Sequence, residues 1–190
     1  VRCAEPVSEI RYLLNVDAHI LGDNRDFVLL NILAYLGYDG LLADEDVDVV
    51  YISTIHPEHK RWVLKAAEAG KHTLVEKPIG MNSQEAQAMI DAANKHDIFL
   101  MEAFMYRCHP QTTRLIEVLR RGAIGQVRML RATLSFQGPE NPQSRLYAKE
   151  LGGGSVLDVG CYPASAARMI AGVASGQRFL EPVAVKAVAK

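Results

Sequence analysis

Apolar residues along the chain alternate between short continuous runs and longer amphipathic stretches, from about residue 38 onward. Three short apolar runs are predicted to be strands: residues 47–52, 72–75 and 98–102. The first run is β-branched, as in a buried parallel strand. Between the runs, one helix is predicted from Pro57 to Gly70 and a second to about Lys95. This alternation predicts βαβ units and a parallel sheet.

The second of these helices has a polar signal at its start. Asn82 precedes Glu85 by three residues. This is the spacing of a capping box, in which side chains bond the free backbone N–H groups of the first turn. We therefore expect the helix to begin just after Asn82.

Longer elements are predicted after about residue 105: a helix over 110–121, a strand over 127–136 and a helix over 155–170. Pro163 must kink or restart the last helix because it has no backbone N–H. The glycine cluster 152–154 lacks the Gly-Lys-Ser/Thr ending of a phosphate-binding loop, so we expect a tight turn there. This half is predicted to be the first part of an α+β domain.

Composition excludes several classes of partner. The 190 residues are 49% hydrophobic and 23% charged, as in an average soluble globular protein. A formal net charge of -1 argues against nucleic acid or an anionic membrane surface. No apolar run reaches the ~18 residues that span a bilayer. Three cysteines, an odd number without metal-ligand spacing, favour a reducing cytoplasm and predict no metal site.

Candidate chemistry is concentrated in three segments. Lys77, within Glu76-Lys77-Pro78, follows a predicted parallel strand, and ligands bind at the carboxyl edge of such sheets. Asp158 and Tyr162 are four residues apart, which places them on one face of a helix. Met105-Tyr106-Arg107 lies between these two segments.

Four segments in this order resemble the Gfo/Idh/MocA family, which includes glucose-fructose oxidoreductase and inositol dehydrogenase. They are Leu-Leu-Ala-Asp-x-Asp-Val-Asp at 41–48, Ala-Gly-Lys-His-x-Leu-Val-Glu-Lys-Pro at 69–78, Glu-Ala-Phe-Met-Tyr-Arg at 102–107 and Gly-Gly-Gly-x-x-x-Asp-x-Gly-x-Tyr at 152–162. Many members end the last motif in His. This sequence has Tyr162 there, and in this it resembles the branch that includes glucose-fructose oxidoreductase and dimeric dihydrodiol dehydrogenase.

The resemblance implies an α/β fold: an incomplete Rossmann-like parallel sheet followed by the first part of an α+β C-terminal domain. Residues 1–103 would form a partial dinucleotide-binding domain, atypical over 1–37, and residues 104–190 a partial substrate and oligomerisation domain. NAD or NADP is the implied cofactor, with the active site between the domains. The implied partners are a sugar, polyol or dihydrodiol substrate and further copies of the chain.

The proposed chemistry also follows from the residues. Oxidation of a secondary alcohol removes the hydroxyl proton as hydride leaves the carbon. A phenol has a pKa of about 10, and lowering it by ~3 units takes roughly 4 kcal/mol, which a close ammonium can largely supply. We therefore expect Tyr162 to be the general acid/base and Lys77 its electrostatic partner. Asp158 is expected to orient the lysine or bind substrate, or simply to pair within its helix.

Cofactor contacts are expected, by the same resemblance, from Ser53, Thr54, His56, His59, Glu76, Lys77 and Arg107. The two histidines lie three residues apart and lack a third ligand, so they are not expected to bind a metal. A surface ion pair is an equally open interpretation for Arg107.

One family feature is absent from this sequence. A dinucleotide-binding fold opens with a strand and Gly-x-Gly-x-x-Gly, and no such motif occurs here. Residues 29–36 are apolar enough for a strand or a short helix. Both ends are therefore expected to be truncated or altered, through a fragmentary gene model, a splice form or a divergent paralogue. The alternative function is a non-catalytic remnant that acts, if at all, through protein contacts.

Overall fold

The computed structural model of the chain describes residues 12–16, 37–138 and 141–188. The apolar run at 29–36 lies outside them. The described residues form two compact units. The first takes those within Val1–Ala103 and Pro142–Gly153, and the second those within Phe104–Asn141 and Gly154–Lys190. The segment Pro142–Gly153 thus belongs with the first unit, although the sequence-based boundary assigned it to the second domain.

The first unit contains a four-stranded parallel sheet in the order β1-β2-β3-β4. The strands are β1 (Tyr12–Val16), β2 (Val49–Ser53), β3 (His72–Val75) and β4 (Leu100–Glu102). The three predicted strands are confirmed as β2, β3 and β4. The sequence-based assignment missed β1, whose short Tyr-Leu-Leu-Asn-Val run has no flanking periodic pattern.

Three helices complete the described part of this unit: α1 (Tyr38–Ala43), α2 (His59–Glu68) and α3 (Ser83–Lys95). A 3-10 turn, His56–Glu58, carries Pro57 and leads into α2. The core lies between the sheet and the helices, and its buried members are Leu41, Val47, Val50, Ile52, Val63, Ala66, Val75 and Met89. Val50 and Ile52 of β2 belong to this core, which explains why these alternate positions are apolar.

The predicted capping box at the start of α3 is present. The backbone N–H of Glu85 donates to Asn82 Oδ1 at 2.9 Å. The Glu85 carboxylate reaches back to the backbone N–H of Met81 at 3.0 Å, one residue earlier than in the usual reciprocal pair. Two backbone donors at the helix start are therefore satisfied by side chains.

The second unit contains α4 (Pro110–Arg120) and α5 (Cys161–Ala174) among its described residues. Both predicted helices are confirmed, and α5 is preceded by a π-helical turn, Val156–Gly160. Pro163 does not kink the helix in its middle. The α-helical segment restarts at Cys161, which places Pro163 in the first turn, where backbone N–H groups have no intrahelical acceptor.

The predicted strand over 127–136 is wrong for the structure described. This segment has no regular secondary structure, and residues 128–137 are exposed. Met129 is 77% exposed and Phe136 59% exposed. A strand needs a neighbour for its backbone N–H and C=O groups, and the described part of the second unit holds no other strand. Its alternating apolar side chains therefore have no sheet face to cover.

The longest helix of the described residues is α5, with 14 residues. None of their helices has the length and apolarity that crossing a bilayer needs. Among the same residues, no three His, Cys, Asp or Glu side chains are grouped as metal ligands.

Candidate active site

The predicted site residues of the first unit meet at one edge of its sheet. Ser53 ends β2, and the Glu76-Lys77-Pro78 motif follows β3 directly. The backbone N–H of Glu76 donates to the carbonyl of Ile52 at 2.9 Å, so the ladder continues into the motif. Because the strands are parallel, both segments leave the sheet at its carboxyl edge, where ligands bind in open α/β folds.

Two carboxylates hold the backbone around Lys77. The Lys77 N–H donates to Glu76 Oε2 at 3.1 Å, and the Ile79 N–H donates to Glu102 Oε1 at 2.7 Å. The other oxygen of Glu76 accepts a hydrogen bond from the Tyr51 hydroxyl at 2.6 Å. Both Glu76 oxygens are thus bonded within the protein, so this side chain organises the turn. The sequence-based assignment did not include Tyr51 or Glu102 among the site residues.

His56 is buried beside the glycine cluster. Its Nδ1 lies 3.3 Å from the carbonyl oxygen of Gly152. Burial lowers the pKa of His56, and the charge of Lys77 lowers it further, while the contact with Gly152 raises it. A neutral ring with its proton on Nδ1 donates to this carbonyl. Gly152 has φ 75, a left-handed conformation, as expected for a tight turn.

His59 is completely buried, at 0% exposure. Its Nδ1 lies 3.0 Å from the Pro78 carbonyl oxygen and its Nε2 lies 3.0 Å from the Thr54 carbonyl oxygen. Burial is the largest effect on its pKa and lowers it, against contacts with the backbone of Thr54 and Pro78 that raise it. Each ring nitrogen faces a backbone carbonyl, and the neutral ring donates to one of the two, so neither nitrogen is turned toward a ligand in this conformation.

Thr54 borders an open apolar cleft beside β2. Tyr38, Leu41 and Trp62 line the same cleft, and the Tyr38 and Trp62 rings meet edge to face at 4.7 Å. Thr54 Oγ1 is buried and has no hydrogen-bond partner among the described residues. Buried hydroxyl groups are normally bonded, so this oxygen is an exception in the wall of the cleft.

Tyr162, in the first turn of α5, belongs to an aromatic cluster in the second unit. Its ring centroid is 5.4 Å from that of Phe104 and 6.0 Å from that of Tyr106. The Tyr106 hydroxyl is 2.8 Å from Ser165 Oγ, one turn further along α5. Phe104 and Tyr106 were not among the predicted site residues. Their proximity arises from the tertiary packing of α5, which sequence spacing does not show.

Asp158 is 8% exposed and lies in the π-helical turn. Its backbone N–H donates to the Gly154 carbonyl at 3.2 Å. The prediction that Asp158 and Tyr162 share a helix face assumed α-helical geometry throughout. A π turn has i→i+5 bonds and a wider circumference, so the four-residue spacing spans two kinds of helix.

Arg107 has a contact that neither sequence interpretation foresaw. Its guanidinium lies 4.5 Å from the centre of the Phe179 ring, which Arg168 also approaches, at 5.5 Å. Arg168 in turn bonds Glu181. The arrangement is a cation–π stack within the second unit.

Two family models match the chain. The model described as oxidoreductase family, NAD-binding Rossmann fold, matches residues 23–104. The Gfo/Idh/MocA C-terminal domain matches residues 112–190.

Curated relatives and solved structures agree with these matches. A trans-1,2-dihydrobenzene-1,2-diol dehydrogenase from Xenopus laevis is 44% identical over 68% of this chain and 38% of its own length. The D-xylose 1-dehydrogenase (NADP(+)) 2 of Haloferax volcanii is 42% identical over 73% of this chain and 42% of its own. A 3-ketoreductase from Actinomadura kijaniata, solved with NADP and TDP-benzene, superposes with a TM-score of 0.62 at 36% identity. That superposition covers 71% of this chain and 41% of the ketoreductase.

The chain therefore spans about two fifths of the length of these relatives. Within that span, the parallel sheet is the one expected for the Rossmann fold of the first family model, and the second model matches the rest of the chain. The chain belongs to the Gfo/Idh/MocA family of oxidoreductases, with an NAD-binding Rossmann-type unit followed by part of the family's C-terminal domain.

Proposed function

We propose that the protein transfers hydride between NAD or NADP and a hydroxyl-bearing carbon of a sugar, polyol or dihydrodiol. The observation that carries this proposal is the turn from Glu76 to Ile79, called the Lys77 turn, at the carboxyl edge of the sheet. Its backbone is held by Glu76 and Glu102, as expected for a group that must be placed accurately. The relatives named for dihydrodiol and D-xylose oxidation support this substrate range.

A nicotinamide dinucleotide fits the residues at this edge. The cleft beside β2 is apolar, and the hydroxyl of Thr54, which lines it, has no partner in the described part of the chain. Cofactor sites use such a combination for a ring and a fixed polar atom. Ser53, Thr54, His56 and Lys77 are the first-unit residues proposed to hold the cofactor. A bound nicotinamide supplies the hydride acceptor. The relatives whose names include NADP favour the phosphorylated form.

Proton transfer is assigned to Tyr162 and Lys77. Lys77 belongs to the first unit and Tyr162 to the second, and the proposal that they act on one substrate rests on the family motifs. Tyr162 takes the hydroxyl proton of the substrate, and the Lys77 ammonium stabilises the resulting phenolate. Asp158 is proposed to orient Lys77 or to bind a second substrate hydroxyl. Arg107, stacked on Phe179, is proposed to contact the cofactor through its remaining N–H donors.

Assembly and location belong to the same proposal. We expect a homo-oligomer, which the exposed apolar side chains of Met129, Leu134 and Phe136 support. A cytoplasmic location agrees with the exposed free thiol of Cys108. Light scattering of the purified protein measures the oligomeric state. Microscopy of a tagged protein measures its cellular location.

Cofactor binding is the direct test. Trp62 is the only tryptophan in the sequence and lines the proposed cleft. Bound NADPH or NADH should therefore quench its emission by energy transfer, and Thr54→Val should weaken this saturable quenching. Exposed Lys95→Ala is the matched control and should not change it. Absence of saturable quenching at millimolar NADPH and NADH would instead favour the non-catalytic remnant.

A further inference from the structure

His59 joins two segments that leave the sheet from neighbouring strands. Its Nε2 lies 3.0 Å from the carbonyl of Thr54, which follows β2. Its Nδ1 lies 3.0 Å from the carbonyl of Pro78, which follows β3. We propose that His59 is a positioning residue that ties these two segments together and so places Thr54 and Lys77. This inference rests on the proposed function for what those two residues do.

The chemistry of the two contacts requires an imidazole. Carbonyl oxygens only accept hydrogen bonds, so each contact needs a donor on the ring. A neutral ring donates to one of the two carbonyls, and a protonated ring donates to both. Gln has donors only at its terminal amide nitrogen and Leu has none. Burial lowers the pKa of His59, which favours the neutral ring, so one of the two carbonyls accepts the ring N–H while the other lies beside the second nitrogen.

The Pro78 contact completes the support of the Lys77 turn. Glu76 holds the N–H of Lys77 and Glu102 holds the N–H of Ile79. Pro78, between them, has no N–H, and only its carbonyl is available for bonding. His59 Nδ1 lies 3.0 Å from that carbonyl and donates to it when it carries the ring proton. The turn is then held at three successive residues, first by Glu76 just after β3, next by His59 of α2 and last by Glu102 of β4.

The Thr54 contact acts on the cofactor side of the site. His59 holds the carbonyl of the residue whose hydroxyl is buried without a partner among the described residues. Fixing this peptide restricts where the hydroxyl can lie in the cleft. The ring is itself held by a rigid helix, since Val63 and Ala66, one and two turns along α2, are 0% exposed. One buried side chain thus sets the cofactor-facing and the proton-handling segments relative to each other.

The direct test observes the ring in the wild-type chain. With nitrogen-15 and carbon-13 labelling, NMR should show a His59 ring N–H protected from exchange with water. It should also show a coupling across the hydrogen bond to the Thr54 or Pro78 carbonyl carbon. A ring N–H that exchanges freely and couples to neither carbonyl overturns the proposal. This result does not depend on whether the chain binds NADPH or turns over substrate.

Variants test the consequence for function. His59→Leu should weaken NADPH quenching of Trp62 and lower turnover by roughly 100-fold, the effect of misplacing a reacting group. His59→Gln, which keeps one donor, should recover part of the loss. Val47→Ala is the matched control, because Val47 is also buried in the core, at 2% exposure, but precedes the amino end of β2, away from the carboxyl edge where both turns lie. It should lower stability while cofactor affinity stays near wild type.

The outcomes separate the two proposals. If His59→Leu fails to fold, His59→Gln and the wild-type NMR measurement still decide the matter. If His59→Leu matches Val47→Ala in stability and in cofactor affinity, the ring is only a core residue and the positioning role is wrong. If the wild-type chain binds neither cofactor while the ring N–H is protected and coupled, the proposed function fails and the tie between the segments stands.

Discussion

Glu102, the last residue of β4, accepts a hydrogen bond from the backbone N–H of Ile79 at 2.7 Å. This contact crosses from one strand end to the turn that follows the neighbouring strand β3. The Glu102 carboxylate thus binds the backbone two residues after Lys77, and the Glu76 carboxylate binds the N–H of Lys77 itself. The conformation of the Lys77 turn is therefore held by one side chain of β4 and by one that directly follows β3.

Removing the Glu102 acceptor should loosen this turn. Glu102→Ala leaves the Ile79 N–H without its acceptor, and we expect a loss of about 1–3 kcal/mol in unfolding free energy. Glu102→Gln keeps a carbonyl oxygen and should lose less. Urea unfolding measures both. Glu117→Ala removes an exposed pair with Arg114 and should cost about 0–1 kcal/mol. Equal losses for Glu102→Ala and Glu117→Ala would contradict the assignment.

The Tyr106–Ser165 hydroxyl pair should stabilise the start of α5. Tyr106→Phe and Ser165→Ala each remove the same 2.8 Å contact. We expect each to cost about 0.5–1.5 kcal/mol, with little further loss in the double variant. Losses that add fully would show that the two hydroxyl groups act independently. If the proposed function holds, both variants should also lower turnover, because the Tyr106 ring packs on that of Tyr162.

Gly152 should tolerate alanine worse than Gly122 does. Both have left-handed φ values, 75 and 66, so alanine carries a backbone cost of roughly 1–2 kcal/mol at each. A Cβ at Gly152 would also lie 2.9 Å from Met81 Sδ and 3.0 Å from His56 Cβ, whereas Gly122 has open space. Thermal unfolding of the two variants should show the larger loss for Gly152→Ala. A larger loss for Gly122→Ala would refute this reading of the turn.

Stability should fall as the solution is acidified below neutrality. Burial lowers the pKa of His59, and also that of His56, from 6.5. The unfolded chain therefore takes up protons first as the pH falls. The stabilising contribution is present above about 6.5 and is lost as the pH falls toward the lowered native values. Urea unfolding at about pH 7.5 and about pH 5.5 measures this slope.

A variant tests whether His59 causes that dependence. His59→Gln has no ring to titrate, so its unfolding free energy should change less over the same pH range than that of the wild type. An unchanged slope would assign the effect to other groups.

The local sequence predicted the strands β2 to β4 and the start of α3. β2 is mostly apolar because Val50 and Ile52 are buried in the core. Asn82 with Glu85 specifies the start of α3 through short-range capping hydrogen bonds. The predicted strand over 127–136 failed for a non-local reason. Alternation describes a segment's own side chains, while a strand also needs a partner, which the described part of the second unit does not provide.

The sequence predicted which residues belong to the candidate site better than it predicted the contacts that these residues make. The Lys77 motif was located because parallel strands bring ligand-binding groups to their carboxyl edge. The engagement of both His59 nitrogens and the stacking of Arg107 on Phe179 depend on residues distant in sequence or on backbone carbonyls. No spacing rule encodes such contacts. The π turn before α5 likewise altered the Asp158 geometry that an ideal helix would give.

The measurement that tests the central claim most directly is NADP and NAD reduction with D-xylose and a trans-dihydrodiol as substrates. The account predicts turnover by the wild-type chain, reduced about 10²–10⁴-fold in Lys77→Ala and in Tyr162→Phe. Lys95→Ala, which changes an exposed lysine, should keep wild-type turnover. Near-normal rates in Lys77→Ala and Tyr162→Phe would contradict the account.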